Sequence, residues 1–221
     1  MSIQTQLKEV VAQIPNHVTL VAVSKTKPNE AILEAYEAGQ RIFGENKVQE
    51  MVAKYEALPK DIQWHLIGHL QTNKVKYMAS FVALIHGVDS LKLLQEINKQ
   101  AAKHERVIDC LLQVHIAQED TKFGFDAEEL QAVLDDEALE NLKNIKIVGL
   151  MGMATFTEDE NQIRHEFESL KHLFDTQLAI SKRSNVEAKI CSMGMSNDYA
   201  IAIEAGSTMI RVGSKIFSGR G

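Results

Sequence analysis

Cysteine, proline and runs of one charge are all scarce here, and each scarcity excludes something. There are two cysteines, Cys110 and Cys191, with no C-x-x-C and no Cys/His zinc spacing. A disulfide framework and a structural zinc site are therefore excluded. Both cysteines lie in apolar, strand-like runs and read as buried thiols. No segment is rich in Gly, Ser and Pro, so no linker or low-complexity stretch divides the chain. Lys and Arg (24) are outnumbered by Asp and Glu (30) and form no block, which argues against a nucleic-acid partner. No apolar run reaches the length of a membrane span. The N-terminus "MSIQTQLKEVVAQIPNH" has no signal-peptide h-region. Its Ile3, Leu7, Val10, Val11 and Ile14 fall on one helical face instead. The expectation is a soluble, cytoplasmic protein whose 221 residues form one domain, 1–221.

What is present is alternation. Strand-like runs occur at Val18 to Ser24, Arg41 to Gly44, Trp64 to Gly68, Val82 to Val88, Asp109 to Ile116, Ile145 to Gly152, Ala188 to Gly194 and Thr208 to Gly213. Amphipathic helical patterns separate them. In one, Ile163, Phe167, Leu170, Phe174 and Leu178 form a single stripe. Several strands are continuously apolar, as parallel strands covered on both faces are. Eight strands in this length predict an α/β fold, a single (β/α)8 TIM-type barrel, with an open doubly wound sheet as the other arrangement. "AYEAGQRIFG" and "AIEAGSTMIRVG" both read helix, Ala-Gly, strand, Gly. Gly39 and Gly206 there suit the left-handed residue that ends a helix.

The stretch "VAVSKTKPNE" ends an apolar strand in two lysines. Pro28 suits the first turn of a helix, which leaves Lys27 in a loop near solvent. Lys25 falls at the C-terminal end of the strand, the edge where parallel α/β proteins build their sites. Either both lysines merely snorkel to water, or Lys25 sits in an apolar mouth that lowers its amine pKa and lets it attack a carbonyl as a Schiff-base lysine. The far end of the chain bears on that choice. Gly194-Met195-Ser196 and Gly213-Ser214 are small-residue turns directly after strands seven and eight. Such turns present N–H groups to an anion, and barrel phosphate sites favour those loops. Arg211, two residues before Gly213, is either a surface salt-bridge partner or a donor to a pyridine nitrogen. A lysine on strand one and a phosphate cradle on strands seven and eight become neighbours when a barrel closes, and together they describe a pyridoxal 5'-phosphate (PLP) site.

The blocks "AVSKTKP", "FGENKVQE", "WHLIGHLQTNK", "GLMGMAT", "SMGMSND" and "STMIRVGSKIF" run nearly end to end. On them the chain resembles the pyridoxal phosphate homeostasis proteins (YggS/PROSC-like), which look like the N-terminal domain of alanine racemase standing alone. The resemblance implies PLP as cofactor. It puts the cofactor lysine on Lys25, a ring contact on Asn46, packing beside the ring on Met195, and the phosphate turns on Ser196, Gly213 and Ser214. Arg211 becomes the partner of the pyridine nitrogen. Ser214 stands where relatives often carry Thr, and the ending "IFSGRG" departs from the shorter glycine-arginine ending usual in the family.

His65 and His69 are four apart, but the zincin Glu is missing, since Leu66 stands there. His65 lines the pocket or is a core histidine. Asn73 and Lys74 guard the mouth or cap the next helix. Lys122 is a rival aldehyde or phosphate contact, or a surface lysine.

An amino-acid racemase needs an acid/base on each face of the α-carbon. Alanine racemase supplies one as a tyrosine from a further domain, which is expected to be missing here. Of Tyr36, Tyr55, Tyr77 and Tyr199, only Tyr199 falls near the mouth. Three functions follow: a non-enzymatic PLP carrier for vitamin B6 homeostasis or delivery to apo PLP-dependent enzymes, a PLP-dependent amino-acid enzyme with weak racemase-like activity, or a barrel without cofactor. The first is favoured, with a monomer or weak dimer.

Overall fold

The computed structural model describes residues 1–118 and 123–217. Its strands are β1 (Thr19–Val23), β2 (Ile42–Glu45), β3 (Gln63–Leu66), β4 (Leu84–Val88), β5 (Ile108–Gln113), β6 (Ile145–Met151), β7 (Val186–Met195) and β8 (Met209–Val212). All neighbours pair in parallel, and the sheet closes in the order β1 to β8. The expected strand starts differ from these by at most two residues and the ends by at most three. Closure settles the architecture for the barrel over the open sheet. The four-residue β8 pairs with both β7 and β1, placing Val21 opposite Arg211.

The helices are α1 (Ile3–Ala12), α2 (Asn29–Glu37), α3 (Val48–Ala57), α4 (Leu91–Lys103), α5 (Ala127–Asp135), α6 (Glu137–Glu140), α7 (Glu160–Leu173), α8 (Tyr199–Glu204) and α9 (Ser214–Phe217). A 3-10 turn covers Thr72–Tyr77. No helix among the described residues is long and apolar enough to cross a membrane. Two helical expectations shift. Val11 is exposed, because α1 buries only Leu7 and Val10. Pro28 is the N-cap of α2, with ψ 160°, and Asn29 opens the helix. The stripe from Ile163 survives a change of pitch: α7 passes into a π turn, Phe174–Leu178, and Leu178 still buries. Gly39 and Gly206 have φ of 103° and 99° and end their helices as expected.

Side chains alternate across each strand, and the core divides accordingly. Leu20, Ala22, Ile210 and Val212 pack outward under the helices. Val21, Leu84, Leu111, Val148 and Met209 form a separate cluster in the lumen. The same parity carries Val23 and Lys25 inward above Val21, Asn46 above Gly44, and Arg211 and Gly213 above Met209. The lumen is layered: apolar at the bottom, polar in the middle through His65, His86, Ser192 and Arg211, and open above.

Gly149 is forced by close approach. A Cβ on Gly149 would lie 1.8 Å from Ile190 O, where the β6–β7 register shifts. Gly39, by contrast, has nothing within 4 Å of that position. Gly149→Ala should lower unfolding free energy by about 3 kcal/mol through overpacking. Gly39→Ala should cost only backbone strain, about 1 kcal/mol. Urea denaturation of both variants checks the order; equal losses would refute the steric account.

Candidate functional site

β1 stops at Val23, and the chain turns through Ser24, Lys25 and Thr26 at the barrel mouth. Ser24 is buried and Lys25 exposed. The apolar, desolvating setting expected for Lys25 is therefore not met, because the residue is open to water. A cavity of about 340 Å³ lies beside it. Lys25, Asn46, Met195, Ser196, Arg211, Gly213 and Ser214 line this cavity, together with Val23, Ile67, Met153, Phe156, Asn197 and Asp198. Asn46 is fixed through its backbone: a Cβ on Gly68 would lie 2.4 Å from Asn46 O, so only glycine lets β3 pass so close.

β7 runs on to Met195, so Gly194 and Met195 belong to the strand and the turn starts at Ser196. Gly194 has φ 97°, which bends the strand end. The two turns are laced together. Gly213 N–H donates to Ser196 Oγ at 3.2 Å, and Met195 N–H donates to the buried Asp198 at 2.6 Å. A Cβ on Gly213 would meet Val23 at 3.1 Å, so any side chain there would intrude on the cradle between β8 and β1. The Ser196 and Ser214 hydroxyls, the buried Arg211 guanidinium and the Lys25 amine thus border one cavity. That donor set fits a phosphate-bearing aldehyde.

The floor is a buried polar chain. Arg211 is buried and makes no surface salt bridge; it donates to Ser192 Oγ (2.5 Å), Ser192 O (3.0 Å) and Gly152 O (3.1 Å). Burial pushes its pKa down to about 10, with Asp198 and Cys191 opposing, so the guanidinium keeps its charge at neutral pH. Ser192 Oγ is 3.1 Å from His86 Nδ1, and His86 Nε2 is 3.0 Å from His65 Nδ1. His65 is thus a core histidine below the cavity and does not line it. His69 points elsewhere, pairing with Asp89 at 3.2 Å and stacking on Phe123.

Beside the turn lies a second buried cluster. Lys54 Nζ donates to Ser24 O (2.8 Å), Glu45 Oε1 (2.8 Å) and Glu50 Oε1 (2.7 Å). Ser24 Oγ donates to Glu45 Oε1 at 2.5 Å, and Thr26 N–H to Glu50 Oε1 at 2.6 Å. Burial raises the Glu45 pKa despite its partners. For Glu50, burial is outweighed by Lys54 and the Thr26 N–H, and its pKa falls. Sequence reasoning missed Glu45, Glu50, Lys54, His86 and Ser192. The available signals were the i,i+4 spacing of Glu50 and Lys54 and lone polar residues inside apolar strands.

Several candidates lie apart. Lys27 Nζ, half-buried, donates to Phe217 O at 3.1 Å. Asn73 borders a separate groove, and Lys74 rests by the Tyr77 ring. Tyr199 is buried, its hydroxyl donating to Gln13 at 2.6 Å, away from the cavity. Lys122 and the tail 218–221 lie outside the described residues.

The family described as alanine racemase, N-terminal domain, matches residues 2–220. The pyridoxal phosphate homeostasis protein of Aquifex aeolicus is 42% identical over 93% of this chain and 88% of its own length. That of Synechocystis is 40% identical over 96% of each. Among solved structures, PipY of Synechococcus elongatus with PLP bound superposes with a TM-score of 0.88 at 35% identity, covering 98% of this chain and all of that one. Alanine racemase from Bartonella henselae, 15% identical, shares the fold over 98% of this chain and 58% of its own, with a TM-score of 0.72.

The paired histidines give the fold an acid limit. Burial pushes the His65 pKa down to about 3. Burial, then the charges of His65 and Arg211, hold His86 well below its ordinary 6.5. In the unfolded chain both take protons near their ordinary value, so below it the unfolded state binds more protons. Their contribution is therefore complete above pH 6.5 and is lost as pH falls from there toward 3. The slope is about 1.4 kcal/mol per pH unit for each histidine. Urea unfolding across pH 7.5 to pH 4.5 should show this loss, and His86→Asn should flatten it by about one proton's worth. An unchanged slope would overturn the assignment.

Proposed function

Because the chain belongs to the pyridoxal phosphate homeostasis protein family, built on the barrel of the alanine racemase N-terminal domain, we propose that it binds PLP reversibly, for buffering or delivery in vitamin B6 homeostasis, without turning over a substrate. The observation that carries this reading is the convergence of Lys25, Arg211 and the turns at Ser196 and Gly213-Ser214 on one cavity. PipY, whose fold is nearly superposable, holds PLP.

When bound, PLP would supply an aldehyde carried on a pyridine ring beside a phosphate-bearing arm, a group open to attack by an amine. Lys25 would hold it as the amine partner of that aldehyde, a linkage whose formation releases the carbonyl oxygen as water. The Gly213 N–H and the hydroxyls of Ser196 and Ser214 take the phosphate, as small-residue turns take anions. Arg211 faces the pyridine nitrogen as a donor, which keeps that nitrogen unprotonated and weakens the ring as an electron sink. Asn46 and Met195 border the ring. His65, through His86 and Ser192, supports Arg211 from below.

Two observations favour carriage over catalysis. Racemisation needs an acid/base on the face opposite the lysine, and none of the four tyrosines lines the cavity: Tyr36 bonds Asp61, Tyr55 stacks on Phe81, Tyr77 lies beside Lys74 and Lys76, and Tyr199 bonds Gln13. Lys25 is also open to water, whereas carbanion chemistry relies on a dry, preorganised site. A cytoplasmic setting, with apo PLP-dependent enzymes as recipients, and a monomer or weak dimer agree with this role.

The purified protein should absorb in the visible when loaded with PLP, and Lys25→Ala should abolish the band. Borohydride reduction and peptide mapping should find the label on Lys25; a label elsewhere, or none, would sink the reading. Amino acids in D₂O should show no Cα exchange above free PLP, and exchange would move the protein among the amino-acid enzymes. Loaded protein should restore an apo-enzyme faster than free PLP at equal concentration.

A further inference from the structure

The turn that carries Lys25 is under strain. Thr26 has φ 63°, in the left-handed region, which a β-branched side chain enters only under constraint. Such conformations persist where the surroundings over-determine them, and they concentrate at functional sites. The constraint is visible. Thr26 N–H is taken by Glu50 at 2.6 Å, Ser24 O by the Lys54 ammonium at 2.8 Å, and Lys54 also bonds Glu50 at 2.7 Å. Both residues flanking Lys25 are therefore tied to one buried cation, directly or through Glu50. On the strand side, Ser24 N–H donates to Gly44 O at 3.0 Å and its hydroxyl to Glu45. Lys54 borders the groove behind the turn, with Thr26 and Lys27, and none of the cofactor cavity. The Lys25 side chain is exposed, so the backbone turn that carries it bears on its aim.

We propose that Lys54, with Glu50, is a positioning pair that holds the strained Ser24–Thr26 turn so that the Lys25 amine is aimed at the aldehyde of a B6 phosphate seated in the opposite turns. This rests on the reading of Lys25 as the Schiff-base lysine. It assigns Lys54 to the covalent step alone, since Lys54 touches neither the cavity nor the anion turns.

The test separates seating from condensation. Pyridoxine 5'-phosphate has an alcohol in place of the aldehyde, so it reports seating only; stopped-flow absorbance with PLP reports condensation. In Lys54→Met, pyridoxine 5'-phosphate affinity should stay within about twofold while Schiff-base formation slows by about 30-fold, as for a nucleophile displaced by about 1 Å. Lys54→Arg should recover part of the rate. Parallel loss of affinity and rate would mean a merely structural role and overturn the proposal, as would an unchanged rate. Glu50→Ala, which removes the Thr26 acceptor from a partly exposed position, carries the same test with about 10-fold slowing if Lys54→Met does not fold. If wild type forms no Schiff base at Lys25, the functional reading itself fails and takes this inference with it. If wild type forms it and the variants match wild type, only this inference falls.

Discussion

Closure of the sheet between β1 and β8 is the constraint on which the site depends. Residues nearly two hundred positions apart become hydrogen-bonded neighbours there, with Val21 against Arg211 and Ala22 against Val212. Two-residue alternation then decides which side chains look inward. Lys25 and Arg211 share the lumen because each lies an even number of residues from Val21 or its partner. An open sheet made of the same strands would leave the amine and the anion turns at opposite edges.

The second constraint is electrostatic. A guanidinium buried at the barrel's centre is costly to desolvate. The fold offsets that cost with three hydrogen-bonding oxygen atoms, two from Ser192 and the carbonyl of Gly152, and with the charge of Asp198. The histidine pair extends the arrangement across the lumen to β3 and keeps the layer neutral apart from Arg211. Arg211 thus keeps its positive charge in the wall of the cavity, which suits an anionic ligand.

The eight strands were legible because continuous apolar runs between amphipathic helices have few alternative explanations. That Lys25, Ser196, Arg211 and Gly213 would border one cavity was legible too, since strand ends and small-residue turns meet at one edge of a parallel barrel. Burial was less so. Lys25 was expected in an apolar mouth and is exposed, because it lies two residues beyond the end of β1, in the turn. His65 sits in the floor, because strand parity places it inward but one layer too deep. The Lys54 cluster was hidden for another reason. Helix spacing pairs Glu50 with Lys54, but nothing local announces that the Ser24 carbonyl, just past β1, will complete the set. Such tertiary coincidences leave no period to read.

Between β7 and β8 the Gly213 amide donates to the Ser196 hydroxyl. That donor finds its acceptor within the chain, so the two turns brace each other and the lining keeps its shape by its own bonds.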